Sequence, residues 1–182
     1  MKSILLSIVL LIPLIAVVVI VVSYVIVFSY LTRIVKDTME SKKKIKHHFP
    51  NMTRKELRTR RKTIEKYQRK HLQKRSVKIV RFVCTVGVFF LLLSAGLRIG
   101  TVPYMIYLGL CFLFLSVVAY LQPKYEEIKL FWEKYLKDNP DNLLNVYLFD
   151  ESKLYRDIEK SRKYVVLLGI SCLIFGVGVW LS

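Results

Sequence analysis

Four long apolar runs constrain the fold of this chain more than any other feature of its sequence. We interpret them as transmembrane helices over residues 4–31, 78–97, 102–121 and 164–181. Each run is long enough to cross a hydrocarbon core of about 30 Å, which takes roughly 20 residues of α-helix. The first run has no small-residue cleavage site, so we expect it to remain as an uncleaved anchor. The sequence therefore predicts an all-α fold, a polytopic integral membrane protein with four transmembrane helices.

The positive charges of the chain are segregated from its apolar runs. The chain is 54% hydrophobic and still carries a net charge of +17, a combination that ordinary soluble domains do not show. Residues 33–81 hold 19 lysines and arginines and four acids, whereas residues 122–163 hold nine of each sign. By the positive-inside rule the first connection, residues 32–77, is predicted to be cytoplasmic. Four crossings then place residues 122–163 in the cytoplasm as well, and both termini and the turn at 98–101 on the outer side.

Tyrosines at the ends of the spans agree with this topology. Tyr30, Tyr120 and Tyr164 fall where three of the spans meet the predicted inner boundary. Because tyrosine and tryptophan rings prefer the membrane–water interface, we expect these three residues to lie at one level.

The basic connection contains a predicted helix that starts at about residue 53. Thr53 and Glu56 match a capping box, in which each side chain accepts a hydrogen bond from the backbone N–H of the other. Leu57, Ile64 and Tyr67 form a thin apolar stripe along the helix. Such a stripe can meet one partner helix or lie shallowly on a bilayer, but it is too narrow to build a core.

The basic side chains of this connection form the main candidate binding surface. They are Lys42, Lys43, Lys44, Lys46, Arg54, Lys55, Arg58, Arg60, Arg61, Lys62, Lys66, Arg69, Lys70, Lys74 and Arg75. Anionic lipid headgroups would attract them with little stereochemical demand. An acidic surface on a cytoplasmic protein is a second candidate ligand. Direct contact with nucleic acid ranks third, because no RNA-binding signature accompanies the charge.

The second connection is amphipathic and carries no net charge. Residues 125–136 place Tyr125, Ile128 and Trp132 on one helical face. Residues 138–142 break this helix, and residues 150–163 are predicted to form another that leads into the last span. We expect this connection to contact a protein or the membrane surface, with a purely structural lid as the alternative. The predicted partner-contact residues of the two connections are Leu57, Ile64, Tyr67 and Trp132.

The sequence offers no motif of enzymatic chemistry. It lacks a phosphate-binding glycine loop, a nucleophile elbow and a zinc-protease motif. Cys84, Cys111 and Cys172 lie in three different spans and are expected to be small buried residues rather than metal ligands. We therefore predict a protein without enzymatic activity, cofactor or metal. The central parts of the spans hold no Asp, Glu, Lys, Arg or His, which argues against a proton-coupled transporter.

Small residues recur within the spans at helix-packing distances. We assign Gly87, Gly109, Gly169 and Gly176 to close helix contacts. Such contacts serve folding within one chain more often than association between chains. A homo-oligomer, with or without a pore, remains open.

Two families share features of this layout. The outer N-terminus, first span, basic helical segment and second span resemble the opening of Oxa1-type insertases. The length and four-span layout resemble the membrane subunit of Kiwa-type bacterial anti-phage systems, a resemblance of architecture without a shared motif. That resemblance implies the bacterial inner (plasma) membrane, a cytoplasmic partner and a role in antiviral defence.

From these features we expect a non-enzymatic membrane subunit or sensor that recruits a cytoplasmic partner through its basic helix and its amphipathic second loop. The alternatives are a small oligomeric channel and, third, an insertase-like biogenesis factor. Defence and stress complexes are the settings that the resemblance suggests for such a subunit.

Overall fold

The computed structural model describes residues 2–100 and 102–181, with side chains described for residues 11–100 and 103–181. All regular elements in these ranges are α-helices. They are α1 Lys2–His48, α2 Arg54–Leu72, α3 Arg75–Gly96, α4 Val102–Tyr120, α5 Tyr125–Asp138 and α6 Ser152–Leu181. Four apolar stretches, in α1, α3, α4 and α6, are long enough to cross a membrane. The predicted all-α polytopic fold is confirmed.

Helix α1 extends well beyond the predicted first span. It contains 47 residues, which corresponds to about 70 Å and is more than twice the thickness of a hydrocarbon core. Residues 32–48, at the start of the predicted polar connection, therefore continue the helix of the span. No proline or glycine interrupts the chain between Pro13 and Pro50. Because proline disfavours the helical conformation of the residue before it, Pro50 accounts for the end of α1.

Helix α2 begins with the capping box that the sequence predicts. The backbone N–H of Glu56 donates to Thr53 Oγ1 at 3.3 Å, and the N–H of Thr53 donates to Glu56 Oε2 at 2.6 Å. These two hydrogen bonds satisfy N–H groups that have no partner within the helix. Hydrogen bonds from the backbone and the side chain of Thr53 to the exposed Glu56 carboxylate hold the pKa of that carboxyl below its usual value. The short segment 49–53 is thus a defined corner between two helices.

The four spanning helices form a row rather than a closed ring. The main helix contacts are α1 with α6, α6 with α4, and α4 with α3. The order in the row is therefore α1, α6, α4, α3, and the first two spans of the chain occupy its edges. Neighbours in the row are antiparallel, because each contact joins an odd-numbered span of the chain to an even-numbered one.

Glycines allow α4 and α6 to touch backbone to backbone. A Cβ atom at Gly109 would lie 2.8 Å from the carbonyl oxygen of Gly169, and one at Gly176 would lie 3.1 Å from the backbone nitrogen of Ile106. A Cβ at Gly87, in contrast, would meet only Phe114 at an ordinary 3.9 Å. Three of the four glycines assigned to helix packing thus lie in one contact within the chain.

The three cysteines are also buried in helix contacts. Cys84, Cys111 and Cys172 are free thiols, one each in α3, α4 and α6, as expected. Cys111 Sγ lies 3.9 Å from the carbonyl oxygen of Val88, where it can donate a weak hydrogen bond across the α3–α4 contact. Within the described ranges, no group of three or more His, Cys, Asp or Glu side chains could hold a metal ion.

The three boundary tyrosines lie near one another at one end of the row. The rings of Tyr30 and Tyr164 stack with centroids 6.0 Å apart, and the Arg162 guanidinium lies 6.0 Å from the ring centroid of Tyr120. Beyond this level α1 and α6 stay in contact, since Lys153 Nζ lies 3.5 Å from Asp37 Oδ1. We call residues 32–77 and 122–163, which lie at this end of the row, the polar head.

Substitution of Gly109 by alanine should destabilise the protein, because the new methyl group meets a carbonyl oxygen that cannot move without shifting α6. Overpacking of this kind costs about 1–3 kcal/mol. We expect a lower apparent Tm for the purified Gly109→Ala protein in detergent. Gly87→Ala is the matched control and should leave the Tm unchanged. Equal Tm values for the two variants would contradict the close α4–α6 contact.

Candidate functional site: a cationic cleft in the polar head

The apolar stripe of α2 packs against α5. Ile64 and Tyr67 contact a cluster formed by Trp132, Tyr135 and Val146. The ring centroid of Tyr67 lies 6.0 Å from that of Trp132 and 5.4 Å from that of Tyr135. Trp132 is only 4% exposed as a result. Three of the four predicted partner-contact residues, Ile64, Tyr67 and Trp132, therefore lie together. They contact one another within this chain.

A loop built on two asparagines completes this cluster. Asn142 and Asn145 have positive φ angles of 40° and 51°, which asparagine tolerates better than most residues. The Asn142 side chain accepts from the N–H of Val146 at 2.8 Å and donates to its carbonyl oxygen at 2.9 Å. These bonds hold the loop in the shape that buries Val146 against Trp132.

Arg60 joins the loop, α2 and the corner after α1. Its Nε donates to the carbonyl oxygen of Asn145 at 2.7 Å, and its Nη2 donates to the same oxygen. Its guanidinium carbon also lies 4.5 Å from the ring centroid of Phe49, a cation–π distance. Nearby, the ring of His48 stacks on that of Tyr147 at 3.7 Å. Arg60, which the sequence analysis assigned to anion binding, is therefore used to hold the polar head together.

A cleft of about 1000 Å³ lies between α1, α2, α5 and residues 146–155. We call it the cationic cleft. Leu57, Ile64, Ile128 and Trp132 contribute apolar surface to it. Its basic lining residues are Lys42, Lys46, Arg54, Arg58, Arg60, Arg61 and Lys129, and its acidic ones are Glu65, Glu133, Asp150 and Glu151.

Several of these charges are already paired, and the seven basic and four acidic lining residues together leave the cleft a net charge of +3. Arg61 Nε lies 2.8 Å from Glu65 Oε1, and Lys129 Nζ lies 3.8 Å from Glu133 Oε1. Four other cations of the cleft make no ion pair with any residue in the described ranges. They are Lys42, Lys46, Arg54 and Arg58. The cleft can therefore offer these four charges to an anionic ligand.

Glu151 and Tyr155 add two partly desolvated groups to the cleft. Burial raises the pKa of the Glu151 carboxyl, although a hydrogen bond with Ser41 and the charges of Arg61 and Lys44 act against this shift. Burial and the neighbouring Glu151 raise the pKa of Tyr155 to about 12. Tyr155 is therefore neutral at physiological pH, and Glu151 is an acid that low dielectric surroundings destabilise in its charged form.

The remaining predicted basic residues divide between a second cavity and open solvent. A smaller cavity of about 440 Å³ is lined by Lys62, Glu65, Lys66, Arg69, Lys70 and Lys78. Five predicted residues line neither cavity and are exposed. They are Lys43, Lys44, Lys55, Lys74 and Arg75. No sequence pattern indicated a binding role for Lys78, Lys129 or residues 146–155, because only the fold brings them to α2.

Comparison with known proteins adds no family to this description. No protein-family model matches the chain, and no curated protein or solved structure is similar to it. The charges, contacts and cavities of the polar head therefore indicate what it can bind.

Replacing Trp132 by alanine should open the polar head without unfolding the spans. Loss of a buried tryptophan costs about 3–5 kcal/mol, which is enough to separate α2 from α5 for part of the time. Trypsin cuts after lysine and arginine, so it should cut α2 at least several times faster in Trp132→Ala. Leu130→Ala is the matched control, because Leu130 is on the same helix but 65% exposed. Equal cleavage rates for these two variants would contradict the α2–α5 contact.

Proposed function

We propose that this chain is a non-enzymatic membrane protein that recruits a cytoplasmic protein. The four spans anchor the polar head at the cytoplasmic face, and the cationic cleft binds an acidic segment of the partner. The observation that carries this proposal is the combination of four unpaired cations with apolar side chains in one cleft of about 1000 Å³. Ligand sites of this size typically join an apolar surface to a few well-placed polar groups.

The position of the cleft favours a protein ligand over a lipid. Its lining on α1 runs from Thr38 to Lys46, which at 1.5 Å per residue lies about 12–24 Å beyond Tyr30 along the helix. Headgroups extend only roughly 5–8 Å beyond the hydrocarbon core on each side. A ligand in the cleft would thus lie outside the bilayer. The apolar share of the lining also favours a segment that carries both carboxylates and apolar side chains over nucleic acid.

The cytoplasmic position of the head follows from its charge. Residues 33–81 and 122–163 hold 28 of the 30 lysines and arginines of the chain. Bacterial and other plasma membranes retain such connections on the cytoplasmic side. The proposed location is therefore the plasma membrane, with both termini outside. A role in antiviral defence rests on the architectural resemblance alone and stays a prediction.

The channel and insertase alternatives gain no specific support from the helix arrangement. Because α1 and α3 lie at the two edges of a row, a pore would have to form between several copies of the chain. Such a pore would be lined by spans whose central parts hold no Asp, Glu, Lys, Arg or His. We therefore keep recruitment as the proposed function.

Cysteine labelling tests the proposed side of the head. The three native cysteines are buried, so an impermeant thiol reagent should react mainly with an introduced cysteine. Lys55→Cys lies in the polar head and should be shielded in intact cells, whereas Leu97→Cys, at an 88% exposed position on the other end of α3, should be labelled. Labelling of Lys55→Cys in intact cells would reverse the topology. Both variants should react after permeabilisation, which controls for access.

Charge removal within the cleft tests recruitment. We expect a variant with Lys42, Lys46, Arg54 and Arg58 changed to glutamine to lose its co-purifying cytoplasmic protein by more than about tenfold, which corresponds to roughly 1.4 kcal/mol. The matched control changes Lys43, Lys55, Lys74 and Arg75 to glutamine, since it removes the same number of charges outside both cavities. The measurement is quantitative mass spectrometry of proteins bound to the purified full-length chain. Both variants must also reach the membrane in normal amounts.

The outcomes separate the candidate ligands. Equal losses in the two variants would indicate diffuse attraction rather than a cleft. Capture that disappears on nuclease treatment would assign the cleft to nucleic acid. Retention of the partner by the cleft variant would exclude the proposed site.

A further inference from the structure

The second cavity lies on the other side of α2 from the apolar stripe. Lys62, Lys66 and Arg69 recur at helical spacing, about half a turn away from Ile64 and Tyr67. While the stripe contacts α5, this basic side of α2 faces the first turn of α3 and encloses the cavity of about 440 Å³ with Lys78. The cavity is thus formed by two helices that meet at the short turn of residues 73–74.

Charges in this cavity are strongly unbalanced. Five of its six lining residues are basic, and the sixth is Glu65. Glu65 is already shared between Arg61 at 2.8 Å and Arg69 at 3.8 Å. The lining therefore keeps a surplus of four positive charges in a small concave space. Such a concentration is unfavourable by itself and is relieved by a bound anion of more than one charge.

One edge of the cavity lies at the start of the second span. Lys78 is the first residue of the predicted span 78–97 and is followed by the apolar Ile79. Phe82 and Phe89 share the helical face of Lys78 and are 70% and 60% exposed. An acyl chain can lie along these two rings while its headgroup occupies the cavity above them. A soluble anion has no acyl chain and would make no contact with Phe82 or Phe89.

We propose that this cavity binds the headgroup of an anionic phospholipid that carries a dianionic phosphate. Lys66, Lys70 and Lys78 contact the phosphate oxygens as point charges, and Arg69 offers a planar pair of donors. The acyl chains pack on Phe82 and Phe89. Basic pockets beside transmembrane helices are a recurrent form of lipid site. This site shares only Glu65 with the cationic cleft and does not depend on whether the cleft binds a protein.

Native mass spectrometry of the full-length chain tests this site. The protein is reconstituted with phosphatidylcholine and titrated with phosphatidic acid, whose phosphomonoester can carry two negative charges, or with phosphatidylglycerol, whose phosphodiester carries one. We expect phosphatidic acid to be retained about tenfold better than phosphatidylglycerol. A variant with Lys66, Lys70 and Lys78 changed to glutamine should lose this retention. The matched control with Lys43, Lys44 and Lys55 changed to glutamine should keep it.

Two further arms separate a lipid site from a site for free phosphate. Phe82→Ala/Phe89→Ala should weaken retention of phosphatidic acid several-fold, because it removes the apolar contacts and leaves the charges. An excess of inorganic phosphate should displace little lipid from the unmodified protein. Full displacement by inorganic phosphate, or an unchanged affinity in the phenylalanine variant, would overturn the lipid assignment. Equal losses in the two triple-glutamine variants would overturn the cavity itself.

Discussion

The antiparallel contact between α1 and α6 is the interaction on which the rest of the structure depends. It begins in the span, where a Cβ atom at Gly178 would lie 3.0 Å from Pro13 Cγ, and passes through the stacked rings of Tyr30 and Tyr164. It continues into the polar head at the ion pair of Asp37 with Lys153. Because the same two helices cross the apolar region and project beyond it, the head is held in a fixed orientation to the membrane.

Helix α2 is the element that contributes residues to both cavities of the polar head. Its 19 residues span about 28 Å and lead from the corner at residues 49–53, after α1, to the short turn of residues 73–74 before α3. The many lysine and arginine side chains of α2 repel one another and destabilise the isolated helix. Most of the stability of α2 therefore comes from packing against other elements. Tyr67 and Ile64 supply that packing against Trp132.

In the proposed function the same basic residues serve both for topology and for ligand binding, and the two roles constrain their positions to different degrees. Retention of a connection in the cytoplasm depends on the number of positive charges near a span and hardly on their order. A cleft depends on position, because Arg58 and Lys42 come from different helices and meet only when both are placed. The distribution of pairs reflects this difference. Arg61 and Arg69 form ion pairs with Glu65, and Arg60 donates to the carbonyl oxygen of Asn145. The exposed Lys55 side chain forms no ion pair within the described residues.

The sequence by itself determined the helical class, the four spans and the start of α2, because hydrophobic length and capping chemistry act between residues close in the chain. It also indicated the apolar stripe of Ile64 and Tyr67. It could not identify what covers that stripe, since Trp132 is more than 60 residues away and either a partner or this chain could supply it. Hydrophobic length did not predict that α1 continues to His48, because the apolar run ends near Leu31 and the helix beyond it is polar. The tertiary structure decided both, by bringing the two polar connections to one end of the helix row. It thereby divided one continuous basic sequence into a cleft, a cavity beside Lys78 and a solvent-exposed remainder.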